Sequence, residues 1–65
     1  MAVAKVLELI SEGETIEGAI ENAVAEAAKS VRGIAGVYAD GIKAVVTDGK
    51  ITGYRVNCKV TFVVE

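Results

Sequence analysis

Asp40, Arg55 and Lys59 are the residues of this chain whose types and order most readily suggest binding chemistry. One acid between two bases can hold a phosphate or nucleotide through charge-assisted hydrogen bonds, or it can be consumed in an ion-pair network between subunits. Tyr38, two residues before Asp40, can offer a ring for stacking or serve as an interface residue. Glu12, Glu14, Glu17 and Glu21 form the densest group of hard oxygen donors. Calcium wants about six or more oxygens, which one helix face cannot supply. Neighbouring subunits or carbonyls of residues 11–14 would have to join, and a solvated acidic face is the plainer reading. Glu17 and Glu21 are carboxylates at i, i+4, but on an exposed face without a pocket. Histidine is absent, and neither a nucleophile with a base nor a glycine-rich phosphate loop before a helix occurs. No catalytic constellation emerges.

A chain of 65 residues makes one domain, spanning 1–65. A domain this small buries only roughly 60% of its unfolded surface, so folding alone is marginal without disulfides, metal or oligomerisation. The single Cys58 excludes an internal disulfide, and one cysteine without histidine excludes the usual zinc site. Oligomerisation remains, and the 52% hydrophobic content agrees with it. A net charge of −2 argues against nucleic acid as a partner. Neither a signal-peptide pattern nor an apolar run near the ~20 residues of a membrane span appears. The expected address is the cytoplasm, with no membrane partner.

The elements that must position these groups follow from periodicity. Residues 2–10, "AVAKVLELI", read as a strand with apolar residues on both faces. "SEGE" at 11–14 reads as a turn around Gly13. Thr15 is a suitable N-cap, and Ile16, Ala19, Ile20, Ala23, Val24, Ala27, Ala28 and Val31 form the stripe of an amphipathic helix over 16–31. Gly33 suits its C-terminal cap. Asp48-Gly49 between two apolar runs is a strong hairpin signal. After it, Tyr54, Val56, Cys58, Val60 and Phe62 alternate with Arg55, Asn57, Lys59 and Thr61. The order is strand, helix, strand, strand. This is an α+β unit in which the first strand pairs with the last.

A two-residue turn at 48 and 49 sets Tyr38 opposite Lys59, Asp40 opposite Asn57 and Ile42 opposite Arg55. The helix should then cover Tyr54, Val56, Cys58, Val60 and Phe62 together with Val37, Ala39 and Val45. The outer face carries Ile34, Gly36, Tyr38, Asp40 and Ile42 beside Arg55, Asn57, Lys59 and Thr61. Such a mixture of aliphatic, aromatic and charged groups suits an oligomer interface. A bulge at Gly41 would turn every upstream residue to the other face. Gly36 is the odd member, since a strand glycine often marks close backbone approach. Cys58 has inward parity and reads as a small core residue.

Taken in order, "KVLELI", "AIENAVAEAAKSV", "DGKI" and "YRVNCKVTFVVE" resemble the dodecin family from Ala4 to Glu65. The resemblance implies a βαββ subunit, its three-stranded antiparallel sheet wrapped on one helix, assembled as a hollow homododecamer. It implies non-enzymatic binding, storage or sequestration of flavins such as riboflavin or FMN. Coenzyme A or calcium are ligands of some relatives. In flavin-binding dodecins a tryptophan early in the second strand stacks on the flavin, and a glutamine in the last strand hydrogen-bonds its polar edge. Those positions correspond to Gly36 and Arg55 here. Tryptophan is absent from the chain, and arginine only donates. The ligand-binding candidates are therefore Gly36, Tyr38 and Arg55, with flavin affinity expected to be weak. Asp40, Arg55 and Lys59 are the candidate interface charge network. The alternative is a structural or calcium-linked dodecamer with no flavin function.

Overall fold

The alternating run around Val56, Cys58 and Val60 becomes the spine of the molecule. A computed structural model describes residues 3–64, so Ala2 and Glu65, the expected ends of the strand and of the resemblance, lie outside it. Strand β1 (Val3–Gly13) leads to helix α1 (Ile16–Ala27), then to β2 (Ile34–Thr47) and β3 (Lys50–Val64). The sheet order is β1-β3-β2, antiparallel throughout. The most regularly alternating segment thus takes the centre, where both of its edges are paired and one face is buried at Val56, Cys58 and Val60.

Val56, Cys58 and Val60 are completely buried beneath Ala19, Ala23 and Ala27 of α1. The alanine stripe lets the helix lie close to the sheet, and Gly13 allows closer approach still. A Cβ at Gly13 would stand 2.5 Å from the backbone nitrogen of Ala19. At the start of α1, the Thr15 hydroxyl accepts a hydrogen bond from the Gly18 N–H at 2.8 Å. That bond satisfies one of the helix's unpaired donors.

Three expectations are corrected. First, β1 does not stop at Ile10 but runs to Gly13. Ser11, Glu12 and Gly13 pair with Val56, Arg55 and Tyr54, and this ladder overrides their turn-forming preference. Second, the regular helix ends at Ala27, four residues before Val31. The chain continues in tight turns, with Ser30 and Val31 both donating to the Ala27 carbonyl at 2.9 Å. Third, the hairpin register is not uniform. Beyond the Asp48-Gly49 turn, Val46 faces Ile51 but Val45 faces Gly53, which leaves Thr52 as an extra residue in β3. Further on, Ile42 faces Val56 while Ala39 faces Cys58, which places an extra residue in β2 around Asp40 and Gly41.

These two shifts have opposite sense and cancel. Ala39, Tyr38, Val37 and Gly36 therefore recover the partners that a simple two-residue hairpin gives, namely Cys58, Lys59, Val60 and Thr61. Between the turn and Gly36, only residues 42–45 are displaced. Lys43 takes the place opposite Arg55 that Ile42 was expected to hold, and half-buried Val45 faces Gly53. Asp40 lies within the irregularity and has no direct partner there. Gly41 adopts φ +136°, a value that favours glycine. A further shift between Ile34 and Gly36 adds Ala35.

Candidate ligand-binding face

The pairing of β1 with β3 sets Glu8, Ile10 and Glu12 opposite Lys59, Asn57 and Arg55. They share the side of the sheet away from α1, because intervening Val56, Cys58 and Val60 face the helix. Val6, Ile10, Tyr38 and Ile42 are large hydrophobic residues more than half exposed, with Ile10 at 71% and Tyr38 at 64%. The helix accounts for one face of this sheet, and the other is left to water or to a partner.

Polar groups on this face are tied together across strands. The Lys59 ammonium meets the Asp40 carboxylate at 3.0 Å. That hydrogen bond, with the attraction of the same carboxylate, raises the Lys59 pKa above its ordinary value. Arg55 turns to β1 instead. Its Nη2 donates to Glu12 Oε2 at 2.7 Å and its Nε to the same oxygen at 3.1 Å. Asn57 Nδ2 donates to Glu8 Oε2 at 3.1 Å. Asp40 and Lys59 are thus brought together, whereas Arg55 belongs to a separate pair. The parity of β1 is the signal that would have found Glu12, once that strand is continued past Ile10.

The three ligand-binding candidates are not gathered in one subunit. Gly36 faces Thr61 and Tyr38 faces Lys59, while Arg55 lies six residues from Thr61 along β3. At about 3.3 Å per residue that is roughly 20 Å. Tyr38 and Gly36 are neighbours on one face, about 7 Å apart by the same rise. A Cβ placed on Gly36 would meet no heavy atom within 4 Å, so the glycine opens onto empty space. Near Arg55 a shallow depression of about 330 Å³ is lined by Ile10, Gly41, Ile42, Lys43 and Asn57 as well.

Among the described residues, no group of three or more His, Cys, Asp or Glu side chains comes together. Glu12, one of the four acids considered for calcium, is engaged by Arg55. Cys58 is free and buried, and desolvation pushes its thiol pKa up. No helix of the described residues is long and apolar enough to cross a membrane.

A three-stranded antiparallel sheet with one helix on one face and a mixed apolar and charged opposite face defines a small α+β module built to be covered. The family description "Dodecin" matches residues 3–65. The chain belongs to the dodecin family, whose members are flavin-binding, self-associating proteins, generally without enzymatic activity. Among solved structures, a Thermus thermophilus dodecin carrying an arginine-to-alanine substitution is 29% identical, with a TM-score of 0.90 over 100% of this chain and 98% of that one. A tryptophan-to-phenylalanine variant of the T. thermophilus dodecin gives 29% and 0.89 over the same shares. The dodecin of Streptomyces coelicolor shares the fold at 22% identity, with a TM-score of 0.88 over 98% of this chain and 93% of that one. No curated protein matches the sequence.

Proposed function

We propose that this chain forms a hollow homododecamer that binds a small planar ligand of the flavin class, FMN or riboflavin, and stores or sequesters it without catalysis. The reading rests on the uncovered face of the sheet, where exposed Tyr38 lies beside the open space at Gly36. Family membership supplies the ligand class. Gly36, Tyr38 and Arg55 are the assigned ligand-binding residues. Gly36 and Arg55 of one subunit are roughly 20 Å apart along β3, so a single ligand touching both positions would draw them from two copies. Gly36 provides no ring, and Arg55 provides donors only. Flavin affinity is accordingly weak compared with a site that has both tryptophan and glutamine. The exposed Val6, Ile10 and Ile42 favour self-association. Asp40 and Lys59 contribute their ion pair to the same interface, with Arg55 joining through Glu12. A reducing cytoplasmic location suits the free Cys58.

The absence of both recognition residues supports a second reading, a purely structural assembly of the same architecture. Calcium in such an assembly would draw carboxylates from more than one copy, as would any coenzyme A site draw its cations. Fluorescence and mass separate the readings. The assembled protein should quench added riboflavin and elute at a mass near twelve subunits. A colourless dodecamer that leaves riboflavin emission untouched refutes the flavin reading and leaves the structural one. A monomer at micromolar concentration refutes both.

A further inference from the structure

Gly36 and Arg55 leave two kinds of contact unfilled: a flat surface to stack on, and a polar edge that both donates and accepts. Both occur together elsewhere on the same face. Tyr38 is 64% exposed and sits one outward position from the vacant space at Gly36. Directly across from it stands Lys59, whose ammonium is 3.0 Å from the Asp40 carboxylate. An ammonium only donates and a carboxylate only accepts. Side by side they present the donor-and-acceptor pair that Arg55 cannot. Each side chain of this pair is 40% exposed in the single subunit, so a molecule lying on the ring at the subunit interface can reach it.

We propose that recognition has moved about 7 Å along β2, to a site in which Tyr38 stacks on a planar heterocycle while Asp40 and Lys59 grip an adjacent N–H and C=O on its edge. The ligand class is a flat aromatic lactam or imide. Gly36 supplies room for the ring to overhang, since no heavy atom lies within 4 Å of its Cβ position. Asp40 is held at the site by the irregularity of β2 at Asp40 and Gly41, which leaves it without a direct cross-strand partner and free to lean toward Lys59. The inference rests on the flavin-class reading and names the groups that carry it.

The test is a fluorescence titration of the assembled protein with riboflavin and with its N3-methyl derivative, which lacks the imide N–H. Wild type should bind riboflavin more tightly than the methylated form. Tyr38→Phe should keep affinity within about twofold, and Tyr38→Ala should weaken it roughly fivefold or more, the scale of one lost stacking contact. Asp40→Asn should reduce the preference for riboflavin over the methylated probe while moving the methylated probe little. Should Tyr38→Ala fail to assemble, Tyr38→Trp takes its place and should tighten binding. Riboflavin bound equally by wild type and an intact Tyr38→Ala assembly overturns the inference but leaves the flavin reading standing. Equal affinity of wild type for both probes overturns the polar-edge assignment. No quenching by wild type overturns the reading and the inference together.

Discussion

Gly36→Trp tests whether the open space on the outer face belongs to a ligand or to a neighbouring subunit. Within one subunit the substitution meets no obstacle, because a Cβ there has no heavy atom within 4 Å. The backbone at Gly36 does not have a positive φ, so an L side chain is not strained. Tryptophan also favours a strand over glycine, on a scale that spans about 1 kcal/mol. Folding should therefore be unharmed or slightly improved. A ring stacked on the ligand contributes about 1–3 kcal/mol, which corresponds to roughly fivefold to a hundredfold tighter riboflavin binding. Pairing the change with Arg55→Gln restores an acceptor at the polar edge. Its cost is the exposed bridge to Glu12, which accounts for about 0–1 kcal/mol. The assay is quenching of riboflavin emission by Gly36→Trp and by the double variant, with size exclusion run on the same samples. Intact assembly with unchanged affinity would refute the placement of the ligand. Loss of assembly would show that a neighbouring copy already fills the space.

Other expected outcomes concern the scaffold. Gly13→Ala forces a methyl group to 2.5 Å from the Ala19 nitrogen and should lower stability by about 1–3 kcal/mol in urea denaturation; a neutral result would mean that α1 lies farther from β1. Thr15→Ala removes the hydroxyl that accepts from Gly18 and should cost about 1 kcal/mol in the same assay. Cys58 should resist alkylation in the folded assembly and react on unfolding, since its buried thiol is held above its ordinary pKa. The unfolded thiol loses its proton first as pH rises, so Cys58 contributes a loss of stability through the alkaline range that Cys58→Ala should abolish. The Lys59 pKa is likewise raised, so its share is present below its ordinary pKa and fades as pH climbs through the elevated one, a slope that Asp40→Asn should flatten.

Much of this fold was legible because local and long-range signals coincide. The Asp48-Gly49 turn and the period-two run from Tyr54 to Phe62 fix the hairpin, and the alanine stripe fixes the face that α1 covers. Ser11 to Gly13 misled because their strand character comes from pairing with Val56, Arg55 and Tyr54, which no local window contains. Glu12 was missed as the partner of Arg55 for the same reason. The pairing of Tyr38 with Lys59 came out correctly from a uniform register only because the intervening shifts cancel. Ile42 lies between those shifts and was therefore misplaced. The approach of Lys59 to Asp40 was visible as diagonal neighbours, whereas the distance from Gly36 to Arg55 requires the completed sheet.

The cancelling irregularities at Thr52 and at Asp40-Gly41 also constrain how this hairpin can change length. Deleting Gly41 alone would leave Asp40 opposite Asn57 in a plain ladder, and the residues from Ala39 back to Gly36 would keep their partners and faces, with Tyr38 still outward. Deleting Thr52 alone would likewise make the pairs Val46–Ile51 and Val45–Gly53 consecutive without moving any other pair. Deleting a directly paired residue instead, such as Lys43, would slip the ladder by one and turn its neighbours to the other face. Single losses should therefore be tolerated at Thr52 and Gly41 and not at the paired positions between them, and a library of single deletions scored for soluble assembly would show whether the hairpin obeys that parity.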